Sequence, residues 1–209
     1  MTPPLPEPLP DDPLPLVQAW IAEAIRADPH AMSIALATVE PDGRPSARMV
    51  ICRGFDPAAG WFVFYTDRTS AKGRALATHP GAALVFYWDV LGRQVRVEGP
   101  VTLAPDADSD AYWNARPADA RIAAIASLQS QPIPSRAAFL AKADEVAKLF
   151  PVDIPRPERW GGYRVWAERV ELWVSQPGRM HDRAIWTRPL EPADTGFRGG
   201  AWRSTRLQP

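Results

Sequence analysis

Strand-forming sequence fills the stretch from Ala31 to Leu103 and returns after Tyr163, while the segment between reads as helix. That order leaves few architectures. An alternation of strand and helix would build a parallel sheet with crossover helices, and no such alternation is present. The expected class is α+β, with early and late strands meeting in one barrel-like sheet.

The individual elements follow from local pattern. Ala31–Glu40 and Ser46–Phe55 flank the turn-forming Pro41-Asp42-Gly43-Arg44 and read as a β-hairpin. Trp61–Tyr65, Ala82–Trp88 and Gln94–Leu103 bring the first half to five strands, with a helix expected over Ser70–Thr78. Pro105–Ala115, Ala118–Ser127 and Ser135–Phe150 carry Ala, Leu, Lys and Glu in helical proportion, and Ser135 is placed to cap the last. Tyr163–Val174, Ala184–Arg188 and Trp202–Leu207 return to strand composition.

At the start, seven of the first fifteen residues are proline, which removes backbone donors and favours extended chain. Residues 1–13 are therefore expected to be a tail, or an arm lying on a partner surface. Residues 14–209 are expected to form a single domain, since 209 residues with 46% hydrophobic content suit one core. Its first element is an amphipathic helix on Leu16, Trp20, Ala24 and Ile25, with Asp12 as N-cap.

Charge and composition narrow the function. The 24 basic residues balance the 24 acidic ones, so no global field favours nucleic acid or an anionic membrane, and any anion site must be local. Only Lys72, Lys142 and Lys148 are lysines, and the remaining cations are arginines, whose planar fork suits phosphate and carboxylate. Cys52 is the single cysteine, which excludes an internal disulfide and suits a cytoplasmic protein. The first residues lack a secretory pattern, and no apolar run reaches membrane-spanning length.

With His30, His79 and His181 as the only histidines, the chain has no ligand set for zinc or copper. It also has no G-x-S-x-G elbow, and Cys52, within a strand-like run, reads as a buried, inert thiol. A nucleotide cofactor would have to be held without a Rossmann turn or P-loop, because neither motif occurs.

Three segments remain as candidates. Arg48-Met49-Val50-Ile51-Cys52-Arg53 sets two guanidinium groups around an apolar strand, and Ser70-Ala71-Lys72-Gly73-Arg74 opens a helix where amides and basic side chains can converge on phosphate. Each is also what ordinary solvated surface looks like. Arg179-Met180-His181-Asp182-Arg183 is the most unusual. If extended, it would turn Arg179, His181 and Arg183 to one side, although a polar turn with surface ion pairs has the same composition.

From Asp12 to the C-terminal Arg206-Leu207-Gln208-Pro209, the order of motifs resembles the pyridoxamine 5′-phosphate oxidase family. These are R-M-V-I-C-R from Arg48, F-Y-T from Phe64, S-A-K from Ser70, R-Q-V from Arg93, A-R-P from Ala115, L-Q-S from Leu128, W-G-G-Y-R-V from Trp160, E-L-W from Glu171 and R-M-H-D-R from Arg179. The resemblance implies a split β-barrel of Greek-key type with peripheral helices, working as a homodimer with an FMN in each of two sites between the subunits. FMN contacts carried over by motif are Arg48, Met49, Val50, Ile51, Tyr65 and Thr66, together with Lys72, Gln94, Gln129, Ser130, Trp173 and Arg183. Arg48 and Lys72 would balance the FMN phosphate.

The resemblance further places Arg53, Tyr112 and Arg116 around the phosphate of a pyridine substrate, with Arg179 and His181 over its ring as the catalytic pair. The implied reaction oxidises pyridoxine or pyridoxamine 5′-phosphate to pyridoxal 5′-phosphate, with dioxygen as acceptor and hydrogen peroxide as product.

Departures from the family pattern gather at the substrate phosphate. Arg53 stands in place of a lysine, Ala120 in place of a serine, and Ala71 in place of a basic residue near the FMN phosphate. They keep two alternatives open: a related flavin oxidase acting on another small ring compound, as in phenazine biosynthesis, or an FMN- or pyridoxal-phosphate-binding protein without turnover.

Overall fold

The computed structural model describes residues 2–209. A helix α1 (Leu14–Ala27) leads into strands β1 (Ser33–Val39), β2 (Pro45–Ile51), β3 (Gly54–Asp56) and β4 (Trp61–Asp67). After helix α2 (Ala71–Thr78) come β5 (Gly81–Trp88) and the long β6 (Arg93–Leu103). Helices α3 (Asp106–Ala115), α4 (Ala118–Ala126) and α5 (Arg136–Leu149) follow. The chain closes with β7 (Trp160–Trp166), β8 (Arg169–Val174), β9 (Asp182–Thr187), the small hairpin β10 (Leu190–Ala193) and β11 (Gly196–Gly199), and β12 (Arg203–Leu207).

The main sheet runs β12-β9-β8-β6-β5-β1-β2, with β3-β4-β7 joined to it through β6, and its pairings are antiparallel. This is the expected α+β split barrel. Its closure depends on β6: one edge carries β5, while the other pairs with β8 over residues 93–98 and with β7 over 101–103. The change of partner falls at Gly99, where a Cβ would overlap the Trp166 carbonyl in the β7–β8 corner. Alternation then fills the interior. Ile34 and Leu36 of β1, Phe62 and Phe64 of β4, Leu84 and Phe86 of β5, and Val95 and Val97 of β6 are all buried, and α1 adds Leu14, Val17 and Trp20 to the same core.

Several boundaries depart from the sequence reading. The first half holds six strands rather than five, because the run to Phe55 breaks at Cys52-Arg53 and resumes as β3 on a different neighbour. Likewise Tyr163–Val174 is two strands, separated by a corner at Ala167-Glu168. The β10–β11 hairpin falls between the strands expected at Ala184–Arg188 and Trp202–Leu207. Pro13, not Asp12, occupies the N-cap of α1, although Asp12 Oδ1 still accepts the Leu14 amide at 2.9 Å. Ser70 and Ser135 cap their helices as expected, accepting from the amides of Gly73 and Ala138.

The proline-rich start lies on the body of its own chain. Leu5 is buried, the Pro10 carbonyl accepts from the Trp186 indole at 2.8 Å, and Thr2 Oγ1 donates to the Leu91 carbonyl at 2.9 Å. Among the described residues no helix is long and apolar enough to cross a membrane. No group of three or more His, Cys, Asp or Glu among them is arranged to hold a metal ion.

Candidate active site

The ends of β2 and β4, the first turn of α2, helix α3 and the loop after α4 converge on a cleft of about 310 Å³. Met49, Val50, Ile51, Arg53, Tyr65, Thr66, Lys72, Tyr112, Arg116 and Gln129 line it, all of them candidates from the sequence, and no acidic side chain does. Lys72 is set by the Ser70 cap, which starts α2 so that the lysine falls in its first turn. The buried ammonium donates to Gln129 Oε1 at 2.7 Å and to Thr66 Oγ1 at 3.1 Å, and Thr66 in turn donates to Gln129 Oε1 at 2.8 Å. Burial pushes the Lys72 pKa down, repulsion from Arg48 pushes it the same way, and Asp67 pulls against both. A buried cation held only by neutral oxygens is suited to an anion.

A second pair of cations brackets Tyr112. The Arg53 guanidinium lies 5.5 Å from the Tyr112 ring centre and that of Arg116 lies 5.9 Å from it. Arg116 is further seated over Trp160 at 5.0 Å and donates to the Ala120 carbonyl at 3.0 Å, while its Nε is buried without a partner. Tyr65 stacks on Tyr112 at 4.2 Å and on Trp160 at 5.6 Å, giving the cleft a flat aromatic wall. Burial raises the pKa of Tyr65, which keeps its phenol protonated.

Of the expected contacts outside this cleft, Arg48 and Ser130 lie beside it. Arg48 spends its guanidinium on the Leu36 and Ser46 carbonyls, on the Thr38 and Ser46 hydroxyls and on Glu40, so its charge reaches Lys72 only through space. Ser130 borders a neighbouring groove instead, with Gln129, and has a left-handed φ of 71°. Only Arg179, with φ of 62°, shares that conformation among the described non-glycine residues. Both are candidate site residues, and such strain gathers at functional positions.

Gln94, Trp173 and Arg183 form a second group. They are cross-strand neighbours, one row running over β6, β8 and β9. Arg183 is clamped by Glu171, which accepts from its Nη2 at 2.7 Å and its Nε at 3.0 Å, and the other carboxylate oxygen accepts from Arg96 at 2.9 Å. His181 packs its ring 4.6 Å from Trp173 and accepts the Gln176 amide on Nδ1 at 3.3 Å.

The extended arrangement considered for Arg179, His181 and Arg183 does not occur. Residues 177–179 form a 3-10 turn and β9 begins only at Asp182, so side-chain alternation fails before His181. Nor does this group line the first cleft. β2 and β6 are separated by β1 and β5, about 14 Å at roughly 4.8 Å per strand.

Sequence reasoning missed two supporting residues. Arg159 pairs with Asp67 at 2.8 Å and donates to the Ala124, Ile125 and Ser127 carbonyls, which ties the end of α4 and its following loop to β4. Glu171 is an acid in the apolar run of β8, and that placement was the available signal. Cys52 is as inert as its context suggested, for burial raises the thiol pKa to about 11.

Comparison with known proteins extends this picture. Residues 21–150 match the pyridoxamine 5′-phosphate oxidase family model, and residues 160–209 match that of the pyridoxine 5′-phosphate oxidase C-terminal dimerisation region. A pyridoxine/pyridoxamine 5′-phosphate oxidase of Anaeromyxobacter dehalogenans is 46% identical over 99% of this chain and 100% of its own length. One from Gluconobacter oxydans is 44% identical over 95% and 94%. Among solved structures, PhzG from Burkholderia lata in complex with tetrahydrophenazine-1-carboxylic acid is 31% identical, with a TM-score of 0.84 and coverage of 96% of this chain and 94% of that one. A pyridoxamine 5′-phosphate oxidase-related, FMN binding protein from Nostoc punctiforme shares the fold at 23% identity, with a TM-score of 0.71 over 92% and 95%. With two family models spanning most of its length and relatives above 40% identity end to end, the chain belongs to the pyridoxamine 5′-phosphate oxidase family.

Proposed function

We propose that this chain is an FMN-dependent oxidase that converts pyridoxine 5′-phosphate and pyridoxamine 5′-phosphate to pyridoxal 5′-phosphate, reducing dioxygen to hydrogen peroxide in the cytoplasm. The observation that carries the reading is the cleft itself, where Lys72, Arg53 and Arg116 meet beside an aromatic wall and no acidic side chain intervenes. Two anions need such a place, one on the cofactor and one on the substrate. Lys72, Thr66 and Gln129 are fitted to the first, since Lys72 and Thr66 are buried and all three are mutually hydrogen-bonded. Arg53, Tyr112 and Arg116 are fitted to the second, since two guanidinium groups flank one phenol. Met49, Val50 and Ile51 offer the edge of β2 to a flat ring, with Arg48 contributing charge from behind. Bound there, FMN would supply the hydride acceptor and the route to dioxygen.

The protein's share is orientation. Arg179 and His181 would hold the pyridine ring, and Gln94, Trp173 and Arg183 would complete the flavin contacts together with Ser130 of the loop. Because these first five lie away from the cleft in their own chain, the reading requires a homodimer in which each cleft is completed by the row of the second copy. The C-terminal dimerisation-region match, which includes β8 and β9, supports that arrangement.

A second reading rests on Ala120, which offers no hydroxyl beside Arg116, and on the likeness to PhzG: oxidation of a reduced phenazine precursor. Identities of 44–46% to the vitamin B6 oxidases against 31% to PhzG, with Tyr112 and Arg116 both in place, favour the first. Anaerobic titration of the FMN-loaded protein decides between them. Flavin bleaching by pyridoxamine 5′-phosphate, reversed by air with pyridoxal 5′-phosphate formed, is the expected outcome. A flavin that stays oxidised with both B6 phosphates but bleaches with the phenazine precursor would transfer the assignment, and one that resists all three would indicate a binding protein.

A further inference from the structure

Met180 and Asp182 are the residues of Arg179-Met180-His181-Asp182-Arg183 with no part in the reading above, and of these two it is Asp182 whose side chain is tied down. Its Oδ2 accepts the Leu5 amide of the N-terminal arm at 2.7 Å, and its Oδ1 accepts from Arg206 of β12. Arg206 also donates to the Pro6 carbonyl at 3.0 Å and to Glu7 at 2.8 Å, so both ends of the chain close on this carboxylate. On the other side of the loop, the Gln176 side chain donates to the Thr2 carbonyl at 3.0 Å while its backbone amide donates to His181 Nδ1.

We propose that Asp182 is a positioning residue: through it the N-terminal arm and the C-terminal strand lock the loop that presents His181 to the substrate. The inference rests on the reading that His181 acts on the substrate ring. Its physical content is a fixed tautomer. A neutral imidazole that accepts on Nδ1 carries its proton on Nε2, so the loop geometry set by Asp182 and Gln176 leaves Nε2 as the ring's donor. Packing against Trp173 fixes the ring plane, and the arm then serves as a strap on its own subunit.

The experiment compares Asp182→Ala, Asp182→Asn and a chain lacking residues 2–8 with the parent, each FMN-loaded and each repeated in a His181→Ala background. Asp182→Ala and the arm deletion should lower kcat for pyridoxamine 5′-phosphate oxidation by roughly ten- to a hundredfold. Asp182→Asn should lose less, because it keeps an acceptor for the Leu5 amide. In the His181→Ala background the same changes should cost less than about twofold, since a residue acting through the imidazole has nothing left to place.

Imidazole nitrogen shifts give a readout that needs no turnover: Nε2-protonated His181 in the parent, and mixed tautomers in Asp182→Ala. Full multiplicative losses in the His181→Ala background, or an unchanged tautomer, would overturn the proposal while leaving the active-site reading intact. If His181→Ala itself turns over normally, the active-site reading fails first, and this inference with it.

Discussion

Replacing Lys72 by methionine should separate ligand affinity from fold stability. The ammonium is buried, its partners are the neutral oxygens of Gln129, Thr66 and Ser70, and no acid lines the cleft around it. Removing it orphans little, because Gln129 Oε1 still accepts from Thr66 at 2.8 Å. The ligand-free Lys72→Met protein should therefore stay within about 1 kcal/mol of the parent in urea unfolding. FMN affinity should behave differently, since a charge-assisted bond to phosphate is worth roughly 1.5–3 kcal/mol, or about ten- to 150-fold in Kd.

The pH dependence carries its own sign. A lysine whose folded pKa lies below its ordinary 10.5 binds fewer protons folded than unfolded in the interval between the two values. The ligand-free parent should thus gain stability as pH rises through that interval towards 10.5, and Lys72→Met should lack the gain. Fluorescence titration of FMN and urea melts across alkaline pH read both effects. A variant destabilised by more than about 2 kcal/mol with unaltered FMN affinity would refute the reasoning and make Lys72 a structural residue.

Three further outcomes are expected. Ala120→Ser restores a hydroxyl next to the carbonyl that Arg116 holds, and should lower KM for the phosphorylated substrate up to about fivefold at constant kcat in steady-state assays. Gly99→Ala drives a methyl into the Trp166 carbonyl at the point where β6 changes partners, and should cost at least about 3 kcal/mol by denaturant unfolding. Cys52, with its thiol pKa near 11, should resist thiol reagents in the native protein at pH 8, and Cys52→Ala should keep its turnover; rapid native labelling would contradict the buried assignment.

What could be read in advance follows from which interactions are local. The Ser70 and Ser135 caps, the β1–β2 turn and the helices of the middle depend on neighbours within a few residues, and each lies where the sequence indicated. The strand breaks were hidden because composition stays strand-like while the pairing changes: the Cys52 amide bonds to Met32, and the next, Arg53, bonds to Val63. The corner after β7 is similar, with the Ala167 amide on the Gly60 carbonyl and that of Glu168 on Glu98. The proline-rich start read as a tail because proline lacks a donor, yet its carbonyls still accept, and the Trp186 and Arg206 side chains use them. At the site, the Arg48–Arg53 strand and Lys72 stand out from residue chemistry alone, while Tyr65, Thr66, Tyr112, Arg116 and Gln129 are legible only through family motifs. Of the two arrangements left open for Arg179–Arg183, the turn is the one adopted, because the left-handed φ of Arg179 ends the alternation.

The pairing of β4 with β7 has a consequence in time. Thr66 sits opposite Gly161, and Tyr65 opposite Gly162, so the strand that opens the cleft waits for one made almost a hundred residues later. Contacts so distant in sequence form slowly, after the local hairpins of β1–β2 and β5–β6 are available. Until β7 arrives, Trp160 cannot back Tyr65 and Arg159 cannot fasten the Gln129 loop, so a nascent or half-folded chain has cations but no cavity. Cofactor capture would then report that the chain has been made and closed through β7, which makes it a quality check inherent in the strand order.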